Sequence, residues 1–382
     1  MAKNLFLYGT LRHLPLLELV AGESVKTLAP VSAMLPDYRV LWADGHGFPL
    51  IEEAAGARAE GLLLRDVAET VQKRLDFYEL GFGYDLREIV VDGPEGASEA
   101  AMIYFPQAGL WQPGRAFGLD DWVRDFWPIT RHSAREVMGY LGQLSAEDVA
   151  RRYKMILSRA AARAAAEAAP APCDLRRTGR VDDVALREDQ ASHQGFYLLK
   201  TLALRHARFD GTKSEEVVRE VFVTGDAATV LPYDPVRDRV MLIEQFRIGP
   251  YERNDPCPWL LEPVAGRIDG GETGETTAVR EAVEEAGLKL DRVERIAGYY
   301  PSPGCSSEFL ESFVGIADLP DGIEGLGGVA DEQEDIRSHV LPFEAALRLI
   351  ETGEANNGPL ILSLLWLQRE RSRLRNAATA SG

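Results

Sequence analysis

Three glutamates, Glu281, Glu284 and Glu285, stand at i, i+3 and i+4, a spacing that lines one face of a helix with carboxylates. Like charges packed this closely destabilise a helix unless something compensates them. A hard divalent cation such as Mg²⁺, which takes oxygen ligands and keeps several waters, is the natural compensation. The apolar positions of the segment, Val279, Ala282, Val283 and Ala286, are expected on the opposite face, packed on a sheet. Most glutamate clusters are only solvated acidic faces. Here Gly266, Gly270, Gly271 and Gly274 precede the helix and let the backbone turn tightly and approach a ligand. Arg280 is placed to pair with Glu272 and hold that loop against the helix.

Taken whole, GRIDGGETGETTAVREAVEEAGL, from Gly266 to Leu288, resembles the Nudix box, G-x5-E-x7-R-E-U-x-E-E-x-G-U, at every specified position, with Ala282 as the first aliphatic residue. Other strings are similar to the ADP-ribose pyrophosphatase branch of that family: LIEQFRIGPYE (242–252), WLLEPVAG (259–266), SPGCSSE (302–308) and EQEDIR (332–337), with Pro303 fifteen residues after the box. The resemblance spans roughly residues 182–375. It implies metal ligation by Glu281, Glu285, the carbonyl of Ala265 and Glu334, with Glu284 beside them. Glu332 would orient or deprotonate the attacking water, although Glu332 and Glu334 both stand as candidates for the base. Arg247 and Glu308 would contact the diphosphate and terminal ribose, and Phe196 and Arg219 the adenosine end. The implied cofactor is Mg²⁺, with Mn²⁺ as the alternative. The implied reaction is hydrolysis of ADP-ribose or a related nucleoside diphosphate sugar, giving AMP and ribose 5-phosphate. In the family Phe196 and Arg219 can be supplied across a domain-swapped dimer, which implies a homodimer through this domain. An intact carboxylate set argues against a nucleotide-binding sensor without turnover.

The elements that must position these residues are legible around them. Strands are expected near 195–204, 217–222, 228–232, 240–247 and 259–265, then near 294–300, 309–315 and 336–340. Asp234-Pro235-Val236-Arg237-Asp238 is a turn by composition. The pieces 343–352 and 358–374 are amphipathic helices. Strands with helices on two faces predict a three-layer α/β/α sandwich.

A second constellation lies near the amino end. Asn4 to Tyr8 reads as a short strand running into Gly9-Thr10-Leu11-Arg12. Leu75-Asp76-Phe77-Tyr78-Glu79 then precedes Tyr84-Asp85-Leu86-Arg87. Strand-like segments with a single helix predict a small α+β barrel. YGTLR at 8–12, LD-x-x-E and Y-x-x-R resemble the γ-glutamylcyclotransferase-like (AIG2-like) family over roughly residues 1–110. The resemblance implies that backbone N–H groups of the Tyr8, Gly9, Thr10, Leu11 loop hold a γ-glutamyl carboxylate. It also implies that Glu79 shuttles the proton in cyclisation of γ-glutamyl amines to 5-oxoproline. One departure stands beside Glu79: Leu80 occupies a position where the family usually has glycine. An active second enzyme and an inherited docking or regulatory domain both fit this pattern. The alanine-rich helical run 158–169 reads as spacer without chemistry. The expected division is therefore a γ-glutamylcyclotransferase-like domain at 1–130, a helical extension and linker at 131–181, and a Nudix domain at 182–375. The tandem is similar to proteins associated with tellurite resistance, a cellular outcome that implies no tellurite chemistry at any residue.

Composition bounds the rest. At 382 residues two or three domains are expected. A net charge of −18 disfavours nucleic acid or an anionic membrane as partner, leaving a small anionic substrate drawn in by a metal or placed arginines. Cys173, Cys257 and Cys305 are scattered without CxxC spacing. The start shows no leader pattern, and no run approaches the roughly 18 apolar residues of a membrane span. A cytoplasmic enzyme is expected.

Overall fold

The alternation expected of a strand buried on both faces begins with β1 (Lys3–Leu7). Phe6, with Tyr8 just beyond the strand, joins one apolar cluster, while Leu5 and Leu7 join another. The first cluster fills a barrel. β2 (Val31–Ala43) and β3 (Pro49–Val67) form a long antiparallel pair, and β4 (Tyr84–Asp92) and β5 (Ser98–Pro106) a second. The order β3-β1-β5-β4-β2 closes through the β2–β3 pairing into five strands, and β6 (Pro113–Ala116) adds to β2. The outer cluster is covered by helices: α1 (Leu14–Ala21), α2 (Val25–Leu28), α3 (Glu69–Glu79), α4 (Leu119–Asp125) and α5 (Trp127–Gly139). The barrel is thus of the expected type, but its helices are more numerous than the one foreseen.

The computed structural model describes residues 3–177, 181–328 and 334–381. The chain divides into two units after Ala169. The stretch expected as extension folds back on the first unit. α6 (Ala146–Arg151) and α7 (Tyr153–Ala168) follow α5, and α5 packs on α7. Arg159 of α7 is 2% exposed, and its Nε donates to the Glu136 carboxylate of α5 at 3.0 Å. Replacing one partner of such a pair strands the other charge in the interior.

In the second unit a three-stranded antiparallel sheet comes first: β7 (Val184–Gln194), β8 (Leu198–His206) and β9 (Val217–Val223). A mixed sheet follows, built on β10 (Ala227–Asp234) and β11 (Arg239–Phe246). Its further members, in chain order, are β12 (Trp259–Glu262), β13 (Val264–Arg267), β14 (Arg292–Tyr299), β15 (Leu310–Ile316), β16 (Leu326–Gly327) and β17 (Ile336–Pro342). The main order is β14-β15-β10-β11-β17-β16, with β12 paired to β11 and β13 to β10. α8 (Ile248–Glu252) leaves the end of β11, and α9 (Gly274–Ala286) follows β13.

Alternate residues of the central strands face two cores. Val230, Met241 and Ile243 pack with Ala278 and Ala282 of α9. Leu231, Val240 and Leu242 pack with Phe343, Leu360 and Leu364, from α10 (Phe343–Thr352) and α11 (Gly358–Ser381). Helices on both faces of the sheet give the expected α/β/α sandwich. Among the described residues, no helix is long and apolar enough to cross a membrane.

Candidate active sites

α9 carries the carboxylates, and its start is fixed locally. The Thr273 hydroxyl accepts from the Thr276 N–H at 3.2 Å, and the Thr276 hydroxyl accepts from the Thr273 N–H at 2.9 Å. Of the four apolar residues expected to pack on the sheet, Ala282 and Ala286 do so, but Val279 and Val283 do not. The two valines are 41% and 55% exposed. The buried stripe is Gly274, Thr277, Ala278, Ala282 and Glu285, so Glu285 is turned inward, Glu281 stands at the edge of the stripe and Glu284 stays outside. Small residues let α9 lie close to the sheet, and the branched valines are left outside.

Glu285 is 2% exposed, and its Oε2 accepts from the Ala265 N–H of β13 at 3.0 Å. Glu281 sits against Gly266 of the same strand. A Cβ at Gly266 would lie 1.8 Å from its Oε1, so a larger residue there would push this carboxylate from its place. Burial pushes the Glu285 carboxyl up to about 8 and that of Glu281 to about 7. Glu334 adds repulsion to both, which places it within electrostatic reach of the pair. Glu284 is half exposed and turns to Arg280 Nη1 at 2.8 Å.

Arg280 ties loop to helix, as its spacing from Glu272 leads one to expect. It donates to both Glu272 oxygens at 3.0 Å, to Glu281 at 2.6 Å and to the Arg267 carbonyl at 3.1 Å. Even with that guanidinium beside it, Glu281 remains above the ordinary carboxylate range, because desolvation outweighs the pairing.

Among the described residues, no three His, Cys, Asp or Glu side chains close a metal shell by themselves. The donor set still fits a hard divalent ion. It consists of oxygen atoms, its carboxylates repel one another in a desolvated place, and strand β13 is bare of side chain where Glu281 must stand. Glu332 lies outside the described residues.

Of the other expected contacts, Arg247 and Glu308 interact electrostatically, and Arg267 joins Glu308 to Phe196. Arg247 caps α8 and pairs with Glu262 at 2.7 Å. Glu308 is raised by burial, and the charges of Arg267 and Arg247 oppose that shift. Phe196 lies in the turn between β7 and β8, is 60% exposed, and is covered by the Arg267 guanidinium at 4.6 Å. β9 is linked to the Glu308 loop: Phe222 N–H donates to Cys305 O at 2.8 Å and Ser307 N–H to Phe222 O at 2.9 Å. Arg219 projects from that strand, exposed, donating to the Val218 carbonyl at 2.7 Å. Sequence reasoning missed Arg267 and Glu262. The first sits at an unspecified box position and the second in an apolar strand, so neither carried a signal.

In the first unit Tyr8, Gly9, Thr10 and Leu11 line a cavity of about 320 Å³ together with Glu79. The loop folds as a 3₁₀ turn over Thr10–Arg12, with the Arg12 N–H donating to the Gly9 carbonyl at 3.1 Å. A Cβ on Gly9 would meet Pro49 Cγ at 2.9 Å, so the loop lies against the cavity wall there. Glu79 ends α3, and burial lifts its carboxyl to about 7. Leu80 has φ −69° and ψ −27°, a conformation open to any residue, and packs against the outer core without displacing Glu79. Tyr153, at the head of the helix whose alanine-rich run from 158 on is expected to be spacer, also lines the cavity.

Residues 223–364 match the family model described as NUDIX domain, and residues 5–124 the one described as gamma-glutamyl cyclotransferase, AIG2-like. An ADP-ribose pyrophosphatase of Escherichia coli (strain K12) is 43% identical over 205 residues, 54% of this chain and 97% of that protein. One from Haemophilus influenzae is 36% identical over 197 residues, 51% of this chain and 90% of its own. A GDP-mannose pyrophosphatase of Escherichia coli O9:H4 (strain HS) is 34% identical over 188 residues, 48% and 95% of the two chains. With a carboxylate-bearing helix on a three-layer sandwich and relatives covered almost end to end, the chain belongs to the Nudix hydrolases and carries a γ-glutamylcyclotransferase-like domain ahead of its Nudix domain.

Proposed function

We propose that the second unit hydrolyses the diphosphate bond of ADP-ribose or a related nucleoside diphosphate sugar, giving AMP and ribose 5-phosphate from the former. The observation that carries the reading is buried Glu285 with partly buried Glu281 beside it, set against Ala265 and Gly266. Bound divalent ions, Mg²⁺ with Mn²⁺ as the alternative, would neutralise the diphosphate and make a bound water more acidic. Glu281, Glu285, the Ala265 carbonyl and Glu334 would hold them. Glu284 flanks this set. Glu332 is assigned to orient or deprotonate the water, a contribution of ~10²–10⁴-fold in rate for a well-placed base. Arg247, steered by Glu262, takes the diphosphate, and Glu308 the terminal ribose. Phe196 and Arg219 receive the adenosine end. Exposed Leu186 and Val218 leave the three-stranded sheet with apolar surface for a second copy, in keeping with a homodimer.

The test is AMP release from ADP-ribose with and without Mg²⁺, in wild type and Glu281→Gln. A loss of ~10²-fold or more is expected for the variant; a full rate removes the metal assignment.

The cavity at Glu79 favours a second reading, a bifunctional protein that also cyclises γ-glutamyl amines. A carboxyl titrating near 7 is suited to take a proton from an attacking amine and return it to a leaving nitrogen. Wild type is expected to form 5-oxoproline from γ-glutamyl amides and Glu79→Gln to form none. Absence of product from wild type rejects this reading and leaves the first untouched.

A further inference from the structure

The cavity at Glu79 has two kinds of wall. Phe6, Leu7, Tyr8 and Leu11 are sealed in the interior. Phe48, Phe82, Tyr84, Trp111 and Tyr153 are only half-buried and form the more open side. These rings brace one another: Phe82 meets Tyr153 edge-on at 4.9 Å, Phe48 meets Trp111 edge-on at 5.1 Å, and Tyr84 lies 5.4 Å from Trp111.

They come from separate parts of the chain: the β2–β3 turn, the turn after α3, β4, the β5–β6 loop and the first residue of α7. Phe48, Phe82, Tyr84 and Trp111 lie within residues 5–124, which match the cyclotransferase-like family model, whereas Tyr153 lies beyond them and is brought to this wall by the helices that fold back on the barrel. Apart from Glu79, the lining holds no Asp, Glu, Lys, Arg or His. An anionic group among these rings would meet their negative faces and no cation, whereas an apolar ring gains contact on several sides.

We propose that the Glu79 cavity takes γ-glutamyl amides whose amine half is apolar and ring-bearing, and that Tyr153 is the residue that selects them. The inference rests on the cyclotransferase reading of this unit and names the class of substrate. In the reaction the α-nitrogen of the γ-glutamyl group bonds to its own γ-carbonyl carbon, and the amide C–N bond breaks. A proton passes from the attacking nitrogen to Glu79 and from Glu79 to the departing nitrogen. The products are 5-oxoproline and the free amine, with nothing oxidised or reduced. The Tyr8–Leu11 loop holds the glutamyl end, which leaves the amine half to the ring-lined side.

The test uses the full chain and three conjugates: γ-glutamyl-phenethylamide, γ-glutamyl-ethylamide and Nε-(γ-glutamyl)lysine. 5-Oxoproline formation is followed in each. The phenethylamide is expected to exceed the other two in kcat/KM by at least about tenfold, the effect of burying one ring. Its ratio to the ethylamide should fall several-fold in Tyr153→Ala and persist in Tyr153→Phe, which keeps the ring. Equal turnover of the three, or preference for the lysine conjugate, overturns the inference while leaving the cyclotransferase reading in place. The same ratio in Tyr153→Ala as in wild type overturns the role of Tyr153. No 5-oxoproline from any conjugate overturns the cyclotransferase reading and this inference with it. If Tyr153→Ala fails to fold, Tyr153→Leu takes its place: a several-fold fall in the ratio is expected, and the wild-type ratio overturns the role of Tyr153.

Discussion

Gly266→Ala tests the central geometry of the Nudix site with a single methyl group. Gly266 pairs with Ala228 across β13 and β10, so its backbone can accept alanine. The obstacle is the Glu281 carboxylate. The added Cβ would stand 1.8 Å from Oε1 and 2.0 Å from Cδ. To reach even 3.0 Å, the oxygen must move by at least 1.2 Å, the difference between those separations. A misplacement of about 1 Å costs on the order of 10²-fold in rate, or roughly 2.7 kcal/mol in the barrier. Overpacking costs about 1–3 kcal/mol in stability, which a domain of this size can absorb. The expected outcome is a folded protein with ADP-ribose hydrolysis down about 10²-fold and a higher Mg²⁺ requirement. Turnover against Mg²⁺ concentration, alongside a thermal melt, reads both effects. Wild-type kcat with an unchanged Mg²⁺ midpoint in a folded variant would refute the placement of Glu281 as a metal ligand.

Further outcomes follow from the same structure. Because burial holds the Glu79 carboxyl near 7 against an ordinary 4.5, the folded state loses stability as pH rises through that window. Glu79→Gln should therefore stabilise the first unit at pH 8, by up to about 3 kcal/mol, and hardly at pH 4.5; guanidinium melts at the two pH values giving equal shifts would contradict this. Cyclisation in wild type should gain rate as pH climbs through about 7, where Glu79 becomes able to accept a proton, and a flat profile would count against it. Arg247→Ala should raise KM for ADP-ribose about tenfold or more. It should also cost about 1–3 kcal/mol of stability at pH 7.5, because the largely buried Glu262 loses its partner. The stability loss should shrink at pH 5, where that carboxyl protonates more readily; equal urea midpoint shifts at the two pH values would show that Arg247 does not serve Glu262.

What the sequence determined by itself was local. The spacing of Glu281, Glu284 and Glu285 behind a glycine-rich loop announced a carboxylate helix, and the apolar runs at 228–232 and 240–247 announced its sheet. Both signals need only a few neighbouring residues to be read. The direction in which α9 would turn was decided by packing. Apolarity pointed to Val279 and Val283 alongside Ala282 as its buried side, yet the sheet accepts Ala282 with Ala278 and Glu285 and leaves both valines out. Close approach favours small side chains over branched ones, and the approach distance is a property of the whole sandwich. In the same way, 8–12 and Glu79 were legible as a pair, whereas Tyr153 lay just ahead of an alanine-rich run that composition marks as spacer. It reaches the Glu79 cavity because α7 folds back along α5, pinned by the buried Glu136–Arg159 pair. Contacts between residues this far apart in the chain leave no periodicity to detect, and only the tertiary structure brings them to one wall.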